Sequence, residues 1–150
     1  EIDEDKIYVP GGDLLAPVSV KTAPFPGLAT DLQQPLTPLL MQAKGSSTII
    51  DTLYPQRIKH IPEMQKMGAK ISSQDGVITI GHAKNLIGTT VEAGEIRAGV
   101  SLLGLALMAD GTTTITKADN ILRGYDRIVE KFRGLNVDLK VITESETLDF

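Results

Sequence analysis

Three arginines and two acids stand where simple packing gives them little use. Asp31 follows Thr30 at the opening of an apolar-periodic segment. Glu95 and Arg97 open a second such segment, and Arg57 and Arg123 each lie between a β-branched run and a stretch of helical character. A carboxylate at the mouth of a cleft can orient or take a hydroxyl proton, the work of a general base. Guanidinium groups match carboxylate and phosphate oxygens two at a time, so arginines at loop ends suit an anionic ligand. Arg97 is the most pointed case, because the helix dipole opposes a cation in a first turn. Each residue also has a plainer reading. Asp31 and Glu95 would serve as first-turn acids, Glu95 and Arg97 as a surface ion pair worth under about 1 kcal/mol, and Arg57 and Arg123 as solvated loop charges.

The placement of these residues is not independent, because the chain repeats itself at a constant offset of 66 residues. Leu36 matches Leu102, Leu39 matches Leu105, Ala43 matches Ala109 and Gly45 matches Gly111. Thr48 matches Thr114, Ile49 matches Ile115 and Arg57 matches Arg123. Average composition does not produce such a run of identities by accident. Asp31 and Arg97 occupy corresponding places, so equivalent ends of two units are expected to face one site.

The elements that would carry them read as follows. Lys6 to Val9 and Val18 to Lys21 are strands, with the proline- and glycine-bearing segments 10–17 and 24–27 between and after them. Thr30 offers an N-cap hydroxyl to a helix carrying Leu32, Leu36, Leu39, Leu40 and Ala43 and ending at Gly45, kinked or started late by Pro35 and Pro38. Ser47 to Thr52 is a strand and Ile61 to Met67 a helix stopped by Gly68. Ala69 to Ser72 and Val77 to Gly81 form a hairpin about Asp75-Gly76. The second copy reads as a strand Thr90 to Ala93, a helix Glu95 to Ala109, a strand Thr112 to Thr116, a helix Tyr125 to Leu135 and a strand Val137 to Ile142, before an acidic tail. The fold class is therefore α/β, or α+β, built on βαβαββ units at about 18–82 and 86–142 within a single domain spanning 1–150.

Composition narrows the functions. With 41% hydrophobic and 23% charged residues and no long apolar run, a soluble protein without a membrane segment is expected. The acidic opening Glu1 to Lys6 is unlike a secretory leader, and the absence of cysteine fits a cytoplasmic address. A net charge of −4 with dispersed basic residues argues against nucleic acid. His60 and His82 lack the spacing of a metal pair, and no glycine-rich nucleotide loop is present, so neither metal nor cofactor is expected.

The ordered set Thr22-Ala23-Pro24-Phe25-Pro26-Gly27, Thr30-Asp31-Leu32-Gln33, Gly94-Glu95-Ile96-Arg97-Ala98-Gly99, Asp110-Gly111-Thr112-Thr113 and Arg123-Gly124-Tyr125 resembles the enolpyruvyl transferase family, in its UDP-N-acetylglucosamine branch. The resemblance runs from about Val18 to Ile142 and corresponds to the C-terminal portion of such enzymes. It implies six βαβαββ units in two inside-out α/β barrels, of which this chain holds the last two or so. It implies transfer of the enolpyruvyl group from phosphoenolpyruvate to the 3'-hydroxyl of UDP-N-acetylglucosamine, the first committed step of peptidoglycan synthesis, by addition and elimination through a tetrahedral ketal. By the same resemblance Asp31 is the carboxylate on the hydroxyl, Leu53 a nucleotide-sugar contact, and Arg57, Arg97 and Arg123 the phosphoenolpyruvate arginines. Glu95 stands where the family usually has aspartate, and the segment Asp51 to Arg57 departs from the common version. The implied partners are UDP-N-acetylglucosamine, phosphoenolpyruvate and the N-terminal-type domain that supplies the rest of the site, without which the chain would be inactive. The branch that makes enolpyruvylshikimate phosphate is the nearest alternative, less favoured by TDLQ and EIRAG. A non-catalytic nucleotide-sugar-binding module of the same fold is the other.

Overall fold

The run Ser46-Ser-Thr-Ile-Ile50, ending in three β-branched residues, becomes an inner strand of a mixed sheet, paired along both of its edges. In the computed structural model, which describes residues 2–3, 5–8, 11 and 15–143, this strand (β4, Ser46–Ile50) lies parallel to β3 (Ser19–Lys21) and antiparallel to β6 (Val77–Gly81), which in turn pairs with β5 (Ile71–Gln74). The order is β3-β4-β6-β5. Asp75 and Gly76 take positive φ values of 51° and 77° between the paired residues Gln74 and Val77, the conformation a two-residue hairpin loop demands. Ahead of this sheet, β1 (Ile2–Asp3) and β2 (Lys6–Ile7) form a small antiparallel pair; the strand expected over Lys6 to Val9 ends at Ile7, and Val9 lies outside the described residues.

Between β3 and β4 the chain forms a 3-10 turn, Thr30–Leu32, that passes into α1 (Gln33–Leu40). Thr30 is not the cap. Ala29 holds that position, and the Thr30 hydroxyl instead reaches Asp51 Oδ2 at 2.6 Å, a stronger partner than a backbone amide because it is charged. Pro38 lies inside α1 and packs on α3 (Ile96–Ala106), where a Cβ at Gly104 would stand 3.2 Å from its ring. After β4 comes α2 (His60–Lys66).

The second set begins with β7 (Thr90–Glu92), continues through α3 and returns as β8 (Thr114–Thr116), parallel to β7 with Val91 opposite Ile115. In the first set Val20 stands opposite Ile49. Ile49 and Ile115, and likewise Gly45 and Gly111 with φ of 143° and 87°, therefore occupy equivalent places in two parallel βαβ arrangements. Beyond β8 the structure departs from expectation. A short helix, α4 (Asp119–Gly124), fills what reads as loop, and α5 (Ile128–Gly134) starts three residues later than Tyr125 because Arg127 adopts a left-handed φ of 50°. The strand expected over Val137 to Ile142 is absent, since no second strand lies beside it among the described residues and an unpaired ladder is not stable in water.

Both sets draw on α3. Leu102 and Leu105 pack with Ile49, Ile71, Ile78 and Ile80 of the sheet, Met64 of α2 and Met67 at its C-terminal end. Leu103, one residue round the helix, packs with Ala93, Ile121 and Ile128. Burying each such leucine is worth about 1.5–3 kcal/mol. A further tie joins the sets: Glu63 on α2 accepts the amide of Glu92 on β7 at 2.9 Å. Among the described residues no helix is long and apolar enough to cross a membrane.

Candidate active site

The starts of α1, α2 and α3 come together at one end of the structure, and the polar residues of interest gather there. Asp51, just past β4, organises the floor. Its Oδ1 accepts the Thr22 hydroxyl at 2.9 Å and the amides of Leu53 and Tyr54 at 3.0 Å each, while Oδ2 accepts Thr30. Burial alone would raise its pKa, but the hydrogen bonds from Thr30, Tyr54, Thr22 and Leu53 outweigh that and hold it below the ordinary carboxylate value. Asp51 thus fixes the loop 22–30 against the turn 53–57, and with them the two segments that carry Asp31 and Arg57.

Arg57 is held from three sides. Its Nη1 donates to Asp31 Oδ1 at 2.7 Å and lies 3.4 Å from Thr30 Oγ1, and its guanidinium sits 4.0 Å over the ring of Tyr54. Its own backbone carbonyl accepts from buried Gln33 Nε2 at 3.3 Å. Arg97 approaches the same carboxylate from α3, with Nε 3.6 Å from Asp31 Oδ1 and no hydrogen bond there. Asp31 is the most open of the three, its side chain 65% exposed against 21% for Arg57 and 29% for Arg97. Two guanidiniums share one carboxylate, so these three side chains together carry one surplus positive charge beside an accessible carboxylate.

Glu95 precedes α3 in extended conformation and makes no capping bond; its Oε1 accepts Gln34 Nε2 from α1 instead. His60, fully buried at the start of α2, is driven down to about pKa 4 by burial, with the charge of Glu95 opposing. It is therefore neutral near pH 7. Leu53 is partly exposed at the rim.

Arg123 is not in a loop before a helix, as its repeat position suggests, but in the last turn of α4. Its side chain turns back to the Asp119 carbonyl at 3.3 Å and Asn120 Oδ1 at 2.7 Å, exposed and clear of Asp31, Arg57 and Arg97. Its neighbour Gly124 packs directly on Ile96, which brings the end of α4 to the start of α3. Sequence reasoning missed Asp51, Gln33, Gln34 and Tyr54. Asp51 carried one usable signal, an acid directly after a β-branched run and two and three residues before the amides it accepts, the pattern of an Asx turn. Among the described residues no group of three or more His, Asp or Glu could hold a metal ion.

The chain as a whole is similar to several known proteins. A protein named UDP-N-acetylglucosamine 1-carboxyvinyltransferase 2 from Lactiplantibacillus plantarum is 53% identical over 146 residues, which is 97% of this chain and 34% of that protein. UDP-N-acetylglucosamine 1-carboxyvinyltransferase of Lactobacillus acidophilus is 56% identical over 143 residues, 94% of this chain and 33% of that protein. The chain spans about a third of the length of these relatives. The crystal structure of the enolpyruvyl transferase NikO from Streptomyces tendae superimposes with a TM-score of 0.77 over 85% of this chain and 29% of its own, at 29% identity. An EPSP synthase from Acinetobacter baumannii, at 18% identity and a TM-score of 0.59 over 76% of this chain and 27% of its own, shares the fold. The family model described as EPSP synthase (3-phosphoshikimate 1-carboxyvinyltransferase) matches residues 3–132, and the chain belongs to that family.

Proposed function

We propose that this chain forms one wall of an active site that transfers the enolpyruvyl group of phosphoenolpyruvate to the 3'-hydroxyl of UDP-N-acetylglucosamine, in the cytoplasm and in the service of peptidoglycan synthesis. The observation that carries the reading is the convergence of Arg57 and Arg97 on the exposed carboxylate of Asp31, taken with the names of the relatives that are about half identical over nearly the whole chain. In this reading the two βαβ arrangements belong to one barrel-type domain, and a second domain closes over them.

The chemistry follows from the charges. Asp31 orients the acceptor hydroxyl and takes its proton as the oxygen bonds to C2 of phosphoenolpyruvate. C3 gains a proton from the opposite wall, and a tetrahedral ketal results. Loss of a proton from C3 then expels phosphate and restores the double bond on the new ether. Arg57 and Arg97 hold the substrate's carboxylate and phosphate and stabilise the charge on the departing phosphate, which fixed guanidiniums do without reorganisation. Arg123 reaches the ligand only if it leaves Asp119 and Asn120, which makes it a residue of the closed state. Leu53 and Glu95 border the nucleotide-sugar side.

The test is a chimera in which this chain replaces the matching third of the Lactiplantibacillus plantarum relative. Phosphate release from phosphoenolpyruvate is expected with UDP-N-acetylglucosamine and not with shikimate 3-phosphate, and none from the chain alone. A folded chimera that releases phosphate with neither acceptor, or only with shikimate 3-phosphate, refutes the reading.

A further inference from the structure

Glu95 and Arg97 are two residues apart, a spacing that would part them within a helix, but Glu95 is extended just before α3 and its side chain is not bound to the helical spacing. The structure does not pair them. Glu95 Oε1 instead accepts the side-chain amide of Gln34, which is buried on the first turn of α1. The orientation of that amide is dictated by the bond itself, since the flipped form would set its carbonyl against the carboxylate. Among the described residues Gln34 is the only side chain that donates to Glu95. His60, which feels the charge of Glu95, is buried and neutral and makes no hydrogen bond to it. Arg97 meanwhile has no hydrogen bond at Nε and lies 3.6 Å from Asp31. Its cation is thus close to an acid in the turn before α1 but makes no ion pair with the acid that precedes its own helix.

We propose that Gln34 is a positioning residue that draws the Glu95 carboxylate onto α1 and so keeps Arg97 free to take an anionic substrate group. The reason lies in the two cross-links between the helix starts. Asp31 of the α1 side faces Arg97 of the α3 side, while Gln34 of the α1 side holds Glu95 of the α3 side. Asp31 is exposed and can be drawn away by a ligand. The Gln34–Glu95 bond is sheltered and stays. Without it the Glu95 carboxylate is released two residues from Arg97, where closing on that guanidinium would cancel the charge that Arg97 presents. The part of this inference that concerns substrate rests on the proposed function; the part that concerns the two side chains does not.

The variant Gln34→Met keeps the buried volume while removing the donor, so the fold is retained. In the 15N-labelled chain the Arg97 Nε–H resonance is expected to shift and its exchange to slow in Gln34→Met, as Glu95 closes on it, and to return to the parent position in Gln34→Met/Glu95→Gln. An Arg97 signal that is unchanged in Gln34→Met, or changed equally in the double variant, overturns the proposal. In the chimera, Gln34→Met should raise the KM for phosphoenolpyruvate about tenfold with a smaller change in kcat, yet change it less than about twofold in a Glu95→Gln background. An equal effect in both backgrounds means that Gln34 acts through packing and overturns the proposal. A chimera with no activity in any form refutes the proposed function instead, while the resonance of Arg97 still decides the role of Gln34.

Discussion

Replacing Asp51 with alanine removes an acceptor that four donors share, and its cost separates a structural acid from a chemical one. A hydrogen bond to a charged group contributes about 1.5–3 kcal/mol net, so four independent bonds would total an implausible loss. They are not independent. The Leu53 and Tyr54 amides belong to exposed residues and can turn to water, whereas the Thr22 hydroxyl is buried and would keep only its long, 3.5 Å contact to the Ile50 carbonyl. The lasting cost is one or two stranded donors and the loosening of loop 22–30, or about 3 kcal/mol, roughly a hundredfold in the folding constant. Asp51→Asn keeps an acceptor for the donors at Oδ1 and turns its amide toward Thr30 Oγ1, whose lone pair can accept; its cost is about 1 kcal/mol. Asp31→Ala breaks two ion pairs at an exposed carboxylate, to Arg57 and Arg97, together worth under about 1 kcal/mol. Urea denaturation followed by far-UV circular dichroism reads all three. With a slope of about 2 kcal/mol/M, Asp51→Ala should move the midpoint down by about 1.5 M and Asp31→Ala by less than 0.5 M. If Asp51→Ala and Asp31→Ala lie within about 0.5 kcal/mol of each other at unchanged slope, Asp51 is not the organiser of the floor.

The other predictions concern charge and packing. His60 binds its proton at about pH 4 when folded and near 6.5 when unfolded, so the unfolded state holds more protons between those values. Stability should therefore fall by about 3 kcal/mol as pH drops from 6.5 through 4, and His60→Leu should flatten that limb in pH-dependent urea titrations. The support from Asp51, whose folded pKa is lowered, is present above the unfolded value and is lost only as pH falls below it, so the two limbs are distinct. Leu102→Ala should cost about 2–5 kcal/mol by calorimetry and leave a single transition, because its helix serves both sets. In the chimera, Arg97→Ala should lower kcat/KM for phosphoenolpyruvate by about 10²–10³-fold with Arg97→Lys only partly restoring it, and an effect under about threefold would remove Arg97 from the site.

Much of the frame was legible because it depends on local rules. Asp75-Gly76 announced a two-residue hairpin, and the paired glycines Gly45 and Gly111 marked positions of positive φ that other residues adopt at a cost. Arg123 was misplaced because the repeat copied its position but not its surroundings. A six-residue helix with only Ile121 buried gives no periodic signal, whereas the same stretch of the first copy is a turn held by Asp51. The bonds that shape the site join Thr22 to Asp51, Asp31 to Arg57 and Gln34 to Glu95, all distant in sequence. No propensity or spacing within a window reports such a bond; the fold has to bring its ends together first.

The sharing of α3 also has a consequence for the order in which the chain is made. Synthesis runs from the N-terminus, and segments fold as their cores become complete. The sheet β3-β4-β6-β5 and helices α1 and α2 are all present once Gly81 has been added, yet the face that receives Leu102 and Leu105 stays uncovered until α3 follows. For that interval the nascent protein carries an open apolar surface of its own making. It closes only when a helix from the next unit leaves the ribosome, so a pause in translation after β6 has emerged and before α3 has done so would prolong the moment at which this chain is most exposed to aggregation or to capture by a chaperone.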